Sequence, residues 1–209
     1  MKGGIILPIG KPIWWDSARE FLLKDSLLGP VLEKYETGHL SGKGDLFVTF
    51  VNSIVGQQIS VIAADAIWNR LNAKVGCITP ENIAKFSHDE IASCGLTKAK
   101  TDYILGIAKN PEDFLSPNFG NMDDEDVHKH FISFRGIGPW TSEMLMIFGL
   151  LRQDIFSVGD IGLIKAVKLL SPDAKTKEDV LNVAERWRPY RTAAAWYLWR
   201  MLDPVPVAY

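Results

Sequence analysis

Residues 131–168 read FISFRGIGPWTSEMLMIFGLLRQDIFSVGDIGLIKAVK, and they decide how the rest of the chain is interpreted. Two helical patterns meet here at a tight turn, Gly136-Ile137-Gly138. Pro139 begins the second pattern, at the helical position that suits proline best. Further along, Asp160 lies in another glycine-flanked turn, VGDIG, just before the next helical pattern. The stretch therefore combines a tight backbone turn with a carboxylate placed at a helix start.

Composition limits the class of protein. The chain has 209 residues, of which 47% are hydrophobic, so one domain or two small subdomains can form a core. Apolar runs fall well short of the roughly 18 residues of a membrane span. Residues 1–15 show no small-residue cleavage site, so no signal peptide is expected. The two cysteines fit a reducing compartment and are too few for a four-cysteine cluster.

The net charge of −2 and the pI near 6.1 argue mildly against a nucleic-acid partner. The distribution of charge points the other way. Residues 132–200 carry more Lys and Arg than Asp and Glu, whereas acidic residues are concentrated just before them. A local basic face for nucleic acid therefore stays a hypothesis.

Helical periodicity dominates the chain, and no convincing strand is found. Residues 45–57 could be a buried strand by composition, but their length favours a buried helix. Residues 111–122 are predicted to be loop. The remaining predicted helices are two within 13–36 separated at Gly29-Pro30, one at 60–72 capped by Ser60, two short ones opened at Thr79 and Ser87, one from Thr97 to about 109, and others at about 123–134, 139–150, 161–170, 177–186 and 190–203. The fold class is therefore all-α.

The glycine hairpin has two interpretations. The start of its second helix presents free N–H groups and the positive end of the helix dipole, which can bind one DNA phosphate without reading sequence. The carbonyls of Ile132, Phe134 and Ile137 could also converge on a monovalent cation, Na⁺ or K⁺. A glycine pair by itself is more often part of an ordinary helix–turn–helix corner with glycine C-caps.

Four motifs in order, SIVGQQIS, FRGIGPWTSEMLMIFGL, DIFSVGDIGLIKAV and ERWRPYRTAAAWYLWR, resemble the helix-hairpin-helix DNA glycosylase superfamily. The resemblance covers roughly residues 45–203 and is strongest to the 3-methyladenine DNA glycosylase II branch, in a short form without the N-terminal β-domain. It implies two helical subdomains, approximately 40–110 and 1–39 plus 111–209, with a DNA-binding cleft between them.

The resemblance makes Asp160 the expected catalytic residue. Cleavage of an N-glycosidic bond develops positive charge on the deoxyribose, which a fixed carboxylate can stabilise. On spacing alone, Asp160 could instead be a helix N-cap, and Asp154 is a competing carboxylate. Trp140 occupies the position where lyase-active relatives have a lysine, which implies a monofunctional hydrolase.

The resemblance also implies a base pocket and a wedge. Trp140 and Trp199 match aromatic pocket positions, whereas Met144 and Ile161 stand where tyrosines can occur. Electron-rich rings suit cationic bases such as 3-methyladenine and 7-methylguanine. The turn with Gln57, Gln58 and Ile59 resembles the wedge that fills the gap left by a flipped base, and Gln58 is the favoured plug. A polar loop tip is the alternative.

Backbone phosphates are expected at Gly136, Gly138 and Thr141 of the hairpin and at Thr97 and Lys98 of a second turn. The expected partner is double-stranded DNA with damaged bases, bound by a monomer that needs no organic cofactor and no membrane. The expected location is the bacterial cytoplasm at the nucleoid, or the eukaryotic nucleus. A glycosylase for uracil or deaminated purines, or a non-catalytic damage-binding protein, would share many of these features.

Overall fold

The structure is a computed structural model, and it describes residues 7–203. Helices account for nearly all of its regular structure. In chain order they are α1 (Trp15–Leu22), α2 (Gly29–Lys34), α3 (Leu46–Gly56), α4 (Val61–Val75), α5 (Pro80–Ile83), α6 (His88–Ala92), α7 (Lys98–Lys109), α8 (Pro111–Leu115), α9 (Asp124–Ile132), α10 (Pro139–Met144), α11 (Ile161–Leu170), α12 (Lys177–Glu185) and α13 (Arg191–Leu202). A 3₁₀ turn (Phe119–Asn121) and a π-helical turn (Leu145–Gly149) complete the helical elements. The predicted all-α class is confirmed.

Two very short strands were not predicted. Strands β1 (Ile9–Gly10) and β2 (Gly42–Lys43) pair antiparallel, with Ile9 opposite Lys43. Two residues are too few to show the alternating pattern by which a strand is predicted from sequence.

The chain divides into two compact units. The first contains Asp45–Leu145, and the second contains Pro8–Gly44 with the chain from Met146 onward. The expected boundary near residue 110 therefore falls inside the first unit. The reason is that α9 and the hairpin pack into the core that α3 begins, so they belong to the same body.

Helix starts in the first unit follow the predicted capping residues. Ser60, Thr97 and Asp123 each accept a hydrogen bond from the backbone N–H three residues later. Ser87 and Glu90 form the expected reciprocal capping box. These side chains satisfy N–H groups that a helix start leaves without a partner. Local sequence therefore determines where α4, α6, α7 and α9 begin.

An aromatic cluster holds the hairpin against the first unit's core. The Phe114 ring lies 5.2 Å from Phe50 on α3, 5.6 Å from Phe131 and 5.2 Å from Phe134, between ring centroids. Phe114 belongs to α8, so the prediction that residues 111–122 form a loop is wrong. Pro111 ends α7 but also starts a new helix, because proline fits a first helical turn.

The second unit is built around α13. Helix α13 packs along α11 and also contacts α1 and α2. Its Trp196 and Tyr197 rings lie 5.3 Å and 5.8 Å from the Trp15 ring of α1. This buried aromatic layer fixes the helix that carries Trp199. In the part of the chain that the structure describes, no helix is both long and apolar enough to cross a bilayer.

Candidate functional site

The hairpin between α9 and α10 requires glycine at its first position. Gly136 has a φ of +92°, a conformation that is costly for residues with a Cβ. A Cβ built there would also overlap the ring of Tyr103 from α7. The Ile137 N–H donates to the Phe134 carbonyl at 3.1 Å, which closes the turn. Gly136 is therefore explained by the fold itself.

Gly138 is a different case. It precedes α10 with a φ of −91°, which any residue can adopt, and a Cβ placed there would meet nothing within 4 Å. Neither backbone strain nor packing within the protein accounts for glycine at this position. The exposed start of α10 is thus open to the close approach of an external group.

The carbonyls expected to bind a monovalent cation lie in this same turn. The Phe134 oxygen already accepts the Ile137 N–H and keeps a second lone pair. A backbone site of this kind would supply oxygen ligands, which suit Na⁺ or K⁺. Among the residues from 7 to 203, no group of three or more His, Cys, Asp or Glu side chains is arranged to hold a metal ion. The cation therefore stays a prediction.

The turn between α3 and α4 presents exposed residues in an unusual backbone conformation. Gln58 has a φ of +58°, which is uncommon for a residue other than glycine, and it is exposed. Ile59, Val61 and Ile62 follow it, with Ile62 83% exposed. Exposed aliphatic side chains in a row are typical of a contact surface. The Gln58 side chain therefore has the exposure that a wedge requires.

Gln57 does not share that role, and its expected place in the wedge is corrected. Its amide nitrogen donates to the Gly136 carbonyl at 3.2 Å and to the Thr141 hydroxyl at 2.9 Å. The side chain therefore points to the hairpin. Thr141, expected to contact phosphate, is only 2% exposed and holds Gln57 instead. The hydroxyl is therefore engaged within the protein, and a phosphate contact at Thr141 through its backbone N–H stays a prediction.

The start of α7 lies beside the turn between α3 and α4. Thr97 and Lys98 are exposed, as a second phosphate contact would need. Two residues further on, the Lys100 ammonium donates to the carbonyls of Val55 and Gln57 at 2.9 and 2.7 Å. These carbonyls lie at the C-terminus of α3, where a cation is favoured. Burial lowers the pKa of the Lys100 ammonium.

In the second unit, Asp160 is held by two N–H donors. Its Oδ1 accepts the Leu163 backbone N–H at 2.8 Å, so Asp160 is the N-cap of α11. The same oxygen accepts the Trp199 indole N–H at 3.1 Å. A cap needs the first bond but not the second. The structure thus brings Asp160 and Trp199 together across 39 residues of sequence, which orients the carboxylate from two directions.

Gly162 makes this contact feasible. A Cβ on Gly162 would lie 3.0 Å from Asp160 Oδ1 and 3.4 Å from Trp199 Cδ1. Phe148 supports the indole from its other side, with the rings stacked at 5.6 Å. Sequence reasoning missed both residues. The glycine after Asp160-Ile161 was visible in the sequence, but its reason depends on a ring from α13.

The other expected pocket residues differ in exposure. Trp199 is 8% exposed, Ile161 is 82% exposed and Met144 is 0% exposed. Met144 therefore contributes to the core of its unit rather than to an open surface. Its expected role in a base pocket is corrected on that ground. Trp140 is half-buried on α10, in the first turn after the hairpin.

Asp154, the competing carboxylate, has a structural role. Arg188 donates to its Oδ2 at 2.7 Å and Arg191 to its Oδ1 at 2.8 Å. Arg191 also bonds the Asp154 carbonyl at 2.9 Å. Two guanidinium groups already neutralise this side chain and fix the start of α13 to the loop before α11. Of the two carboxylates, Asp154 is therefore the one with two arginine partners.

The features assembled so far define a class. An all-α chain has a glycine hairpin, a turn with exposed Gln58 and a fixed carboxylate shortly after the hairpin, as in helix-hairpin-helix proteins that act on DNA bases. Residues 51–189 match the model of the HhH-GPD superfamily, base excision DNA repair protein. The chain belongs to this family.

Individual relatives agree with that assignment. A DNA-3-methyladenine glycosylase 1 of Schizosaccharomyces pombe is 31% identical over 79% of this chain and 76% of its own length. A Bacillus subtilis DNA-3-methyladenine glycosylase is 29% identical over 88% of this chain, which spans 66% of that relative. Among solved structures, S. pombe 3-methyladenine DNA glycosylase in complex with abasic DNA is similar, with a TM-score of 0.79, 27% identity and coverage of 92% and 100%.

Proposed function

We propose that this protein is a monofunctional DNA glycosylase that hydrolyses the N-glycosidic bond of alkylated purines, of the 3-methyladenine and 7-methylguanine type. The observation that carries the proposal is the double support of Asp160 by Leu163 and Trp199. Capping α11 requires only the bond from Leu163. A carboxylate that must meet a transient positive charge gains a fixed position.

Cleavage of the N-glycosidic bond moves positive charge from the base to the sugar. The C1′–N bond breaks, and its electron pair leaves with the base. An alkylated purine is cationic, so it departs as a neutral base with little need of a proton donor. Positive charge develops on the deoxyribose, where the Asp160 carboxylate stabilises it. Water then adds to C1′ and loses a proton, leaving an abasic site.

The absence of a lysine supports hydrolysis without strand cleavage. The sequence has no lysine between Arg135 and Lys165, and Trp140 occupies the position at which a Schiff-base lysine would be expected. Without an amine, no covalent imine forms with the sugar. The abasic product is therefore left intact.

Base recognition would use stacking. The electron-rich face of a tryptophan ring, Trp140 or Trp199, can attract a cationic base, an interaction that neutral bases make less strongly. Ile161 offers an exposed aliphatic side chain next to Asp160 in sequence. With Ile161 in place of tyrosine, the pocket edge would recognise a base by its shape and not by hydrogen bonds. This kind of recognition suits lesions that differ from a normal base by a methyl group.

Different segments would bind the DNA backbone and flip the base. The hairpin at Gly136 and Gly138 and the exposed Thr97-Lys98 start of α7 would hold backbone phosphates without reading sequence. Gln58 would enter the gap that the flipped base leaves. The partner is double-stranded DNA with damaged bases, so the protein would act at the bacterial nucleoid in the cytoplasm or in a eukaryotic nucleus.

One experiment tests the whole proposal. Duplex DNA treated with a methylating agent is incubated with the protein, and the released bases are separated by chromatography. We expect release of 3-methyladenine and 7-methylguanine. Strand breaks should appear only when the product is then treated with alkali. Release of uracil or hypoxanthine from matched substrates, and not of methylated purines, would move the protein to another lesion class. Binding without release of any base would make it a damage-binding protein.

A further inference from the structure

The Gln58 turn is held by contacts that capping does not require. Its left-handed backbone is uncommon for a residue other than glycine, so it persists because its surroundings fix it. On the C-terminal side, the Ser60 hydroxyl caps α4 by accepting the Ala63 N–H at 3.3 Å. On the N-terminal side, Lys100 reaches the turn from α7, and Gln57 reaches from the turn to the hairpin. These two contacts have no place in the function described above.

The first contact comes from α7. Lys100 lies in the first turn of this helix, and its ammonium bonds two carbonyls that flank Gly56, those of Val55 and Gln57. The peptide that carries the Gln57 carbonyl is also the one that enters Gln58. Lys100 therefore fixes the orientation from which Gln58 departs. Partial burial at this position lowers the pKa of the ammonium.

The second contact joins the Gln58 turn to the hairpin. The Gln57 amide bridges the Gly136 carbonyl and the Thr141 hydroxyl, one on each side of the hairpin turn. Through Lys100 and Gln57, the Gln58 turn is thus joined to both segments expected to hold phosphates. Hydrogen bonds of this kind keep functional groups in a fixed relative geometry.

We infer that Lys100 and Gln57 are positioning residues that hold the Gln58 wedge in register with the two phosphate-binding segments. They would set the wedge in place before DNA arrives, so that binding the backbone aims Gln58 at the base stack. The inference rests on the proposed function only where it concerns which base is flipped. Insertion of the wedge does not depend on it.

The test compares Lys100→Met, which removes the ammonium, with Lys100→Arg, which keeps a charged donor. Gln57→Leu severs the hairpin contact independently. Lys109→Met, on the last turn of the same helix α7, is the matched control. Thermal unfolding of each variant shows that it folds.

The first readout does not depend on base release. A duplex with an abasic analogue beside 2-aminopurine becomes more fluorescent when a wedge unstacks that neighbour. At saturating DNA, Lys100→Met and Gln57→Leu are expected to lose much of this rise, whereas Lys100→Arg restores it and Lys109→Met keeps it. An unchanged rise in both Lys100→Met and Gln57→Leu, in folded protein, would overturn the inference.

The second readout measures release of 7-methylguanine opposite cytosine and opposite an abasic site. Lys100→Met should slow release opposite cytosine roughly ten- to a hundredfold, the scale of a small misplacement. The loss should be much smaller opposite an abasic site, where flipping costs less. Equal loss on both duplexes would overturn the positioning role. If the parent protein releases no base while the fluorescence pattern holds, the proposed function fails and the inference stands.

Discussion

Two glycine-containing turns, residues 135–139 and 157–162, each begin a helix, but they present different chemistry. The hairpin turn offers main-chain N–H groups, and the fold controls it by keeping side chains away. Tyr103 fills the space beside Gly136, while the space beside Gly138 stays open. The Asp160 turn instead offers one side chain, which its own helix and Trp199 orient.

This contrast indicates which kind of change should affect each turn. A turn that acts through its backbone is sensitive to added atoms and should lose binding. A turn that acts through one carboxylate is sensitive to the loss of charge and should lose chemistry. The predictions that follow separate these two outcomes.

The largest effect is expected from Asp160→Asn. The amide keeps an oxygen for the Leu163 N–H but lacks the negative charge that we propose stabilises the sugar cation. Base release should fall roughly a thousandfold, the scale of losing one preorganised electrostatic group. Single-turnover release from methylated DNA measures the rate, and fluorescence anisotropy should show that DNA binding is retained.

Asp154→Asn is the matched control for that variant. It removes the charge that pairs with Arg188 and Arg191 and should lower the free energy of unfolding by about 2 kcal/mol. Its rate of base release in the folded state should stay near that of the parent. Should the two variants exchange their effects, the assignment of the catalytic carboxylate is wrong.

Much of this contrast could be predicted from sequence, because it depends on local signals. Pro139 after the glycine turn, Asp160 before α11, and Ser60 and Thr97 before their helices act within one helical turn. Capping is a short-range interaction, so its residues and its result are visible in the same few letters. The starts of α4, α7, α10 and α11 were predicted correctly for this reason.

What escaped prediction is long-range. The bond from Trp199 to Asp160 spans 39 residues, and that from Gln57 to Gly136 spans 79. No local pattern shows which side chain will reach a distant turn. Gln57 was grouped with Gln58 because both are adjacent polar residues, but the backbone change between them sends their side chains to different places. The burial of Met144 likewise follows from packing and not from its neighbours in sequence.

Gly136→Ala tests whether the hairpin turn is limited by its backbone. The left-handed conformation and the overlap with Tyr103 together should lower the free energy of unfolding by about 3 kcal/mol. Chemical denaturation measures this change. The companion variant Tyr103→Ala, combined with Gly136→Ala, should recover part of the loss if the overlap contributes. No recovery would assign the whole cost to the backbone.

Trp199→Phe tests the orientation of the Asp160 turn. Phenylalanine keeps an aromatic ring beside Phe148 but cannot donate to Asp160. Hydrogen bonds to charged groups contribute about 1.5 kcal/mol, so kcat should fall about tenfold with KM little changed. Trp196→Phe is the control on the same helix, because its ring packs on Trp15 and Tyr197. Equal losses in both variants would point to a damaged core.

Gly138→Ala should have the smallest effect, and it is the sharpest test of the hairpin. The added methyl group meets no protein atom within 4 Å, so the free energy of unfolding should not fall. It would stand where a phosphate approaches the start of α10, and affinity should fall about fivefold, equivalent to about 1 kcal/mol. The loss should be the same for damaged and undamaged duplexes in anisotropy titrations, since a phosphate contact reads no bases. A loss confined to damaged DNA would mean that this turn contacts the flipped base, and the division between a binding turn and a chemical turn would no longer hold.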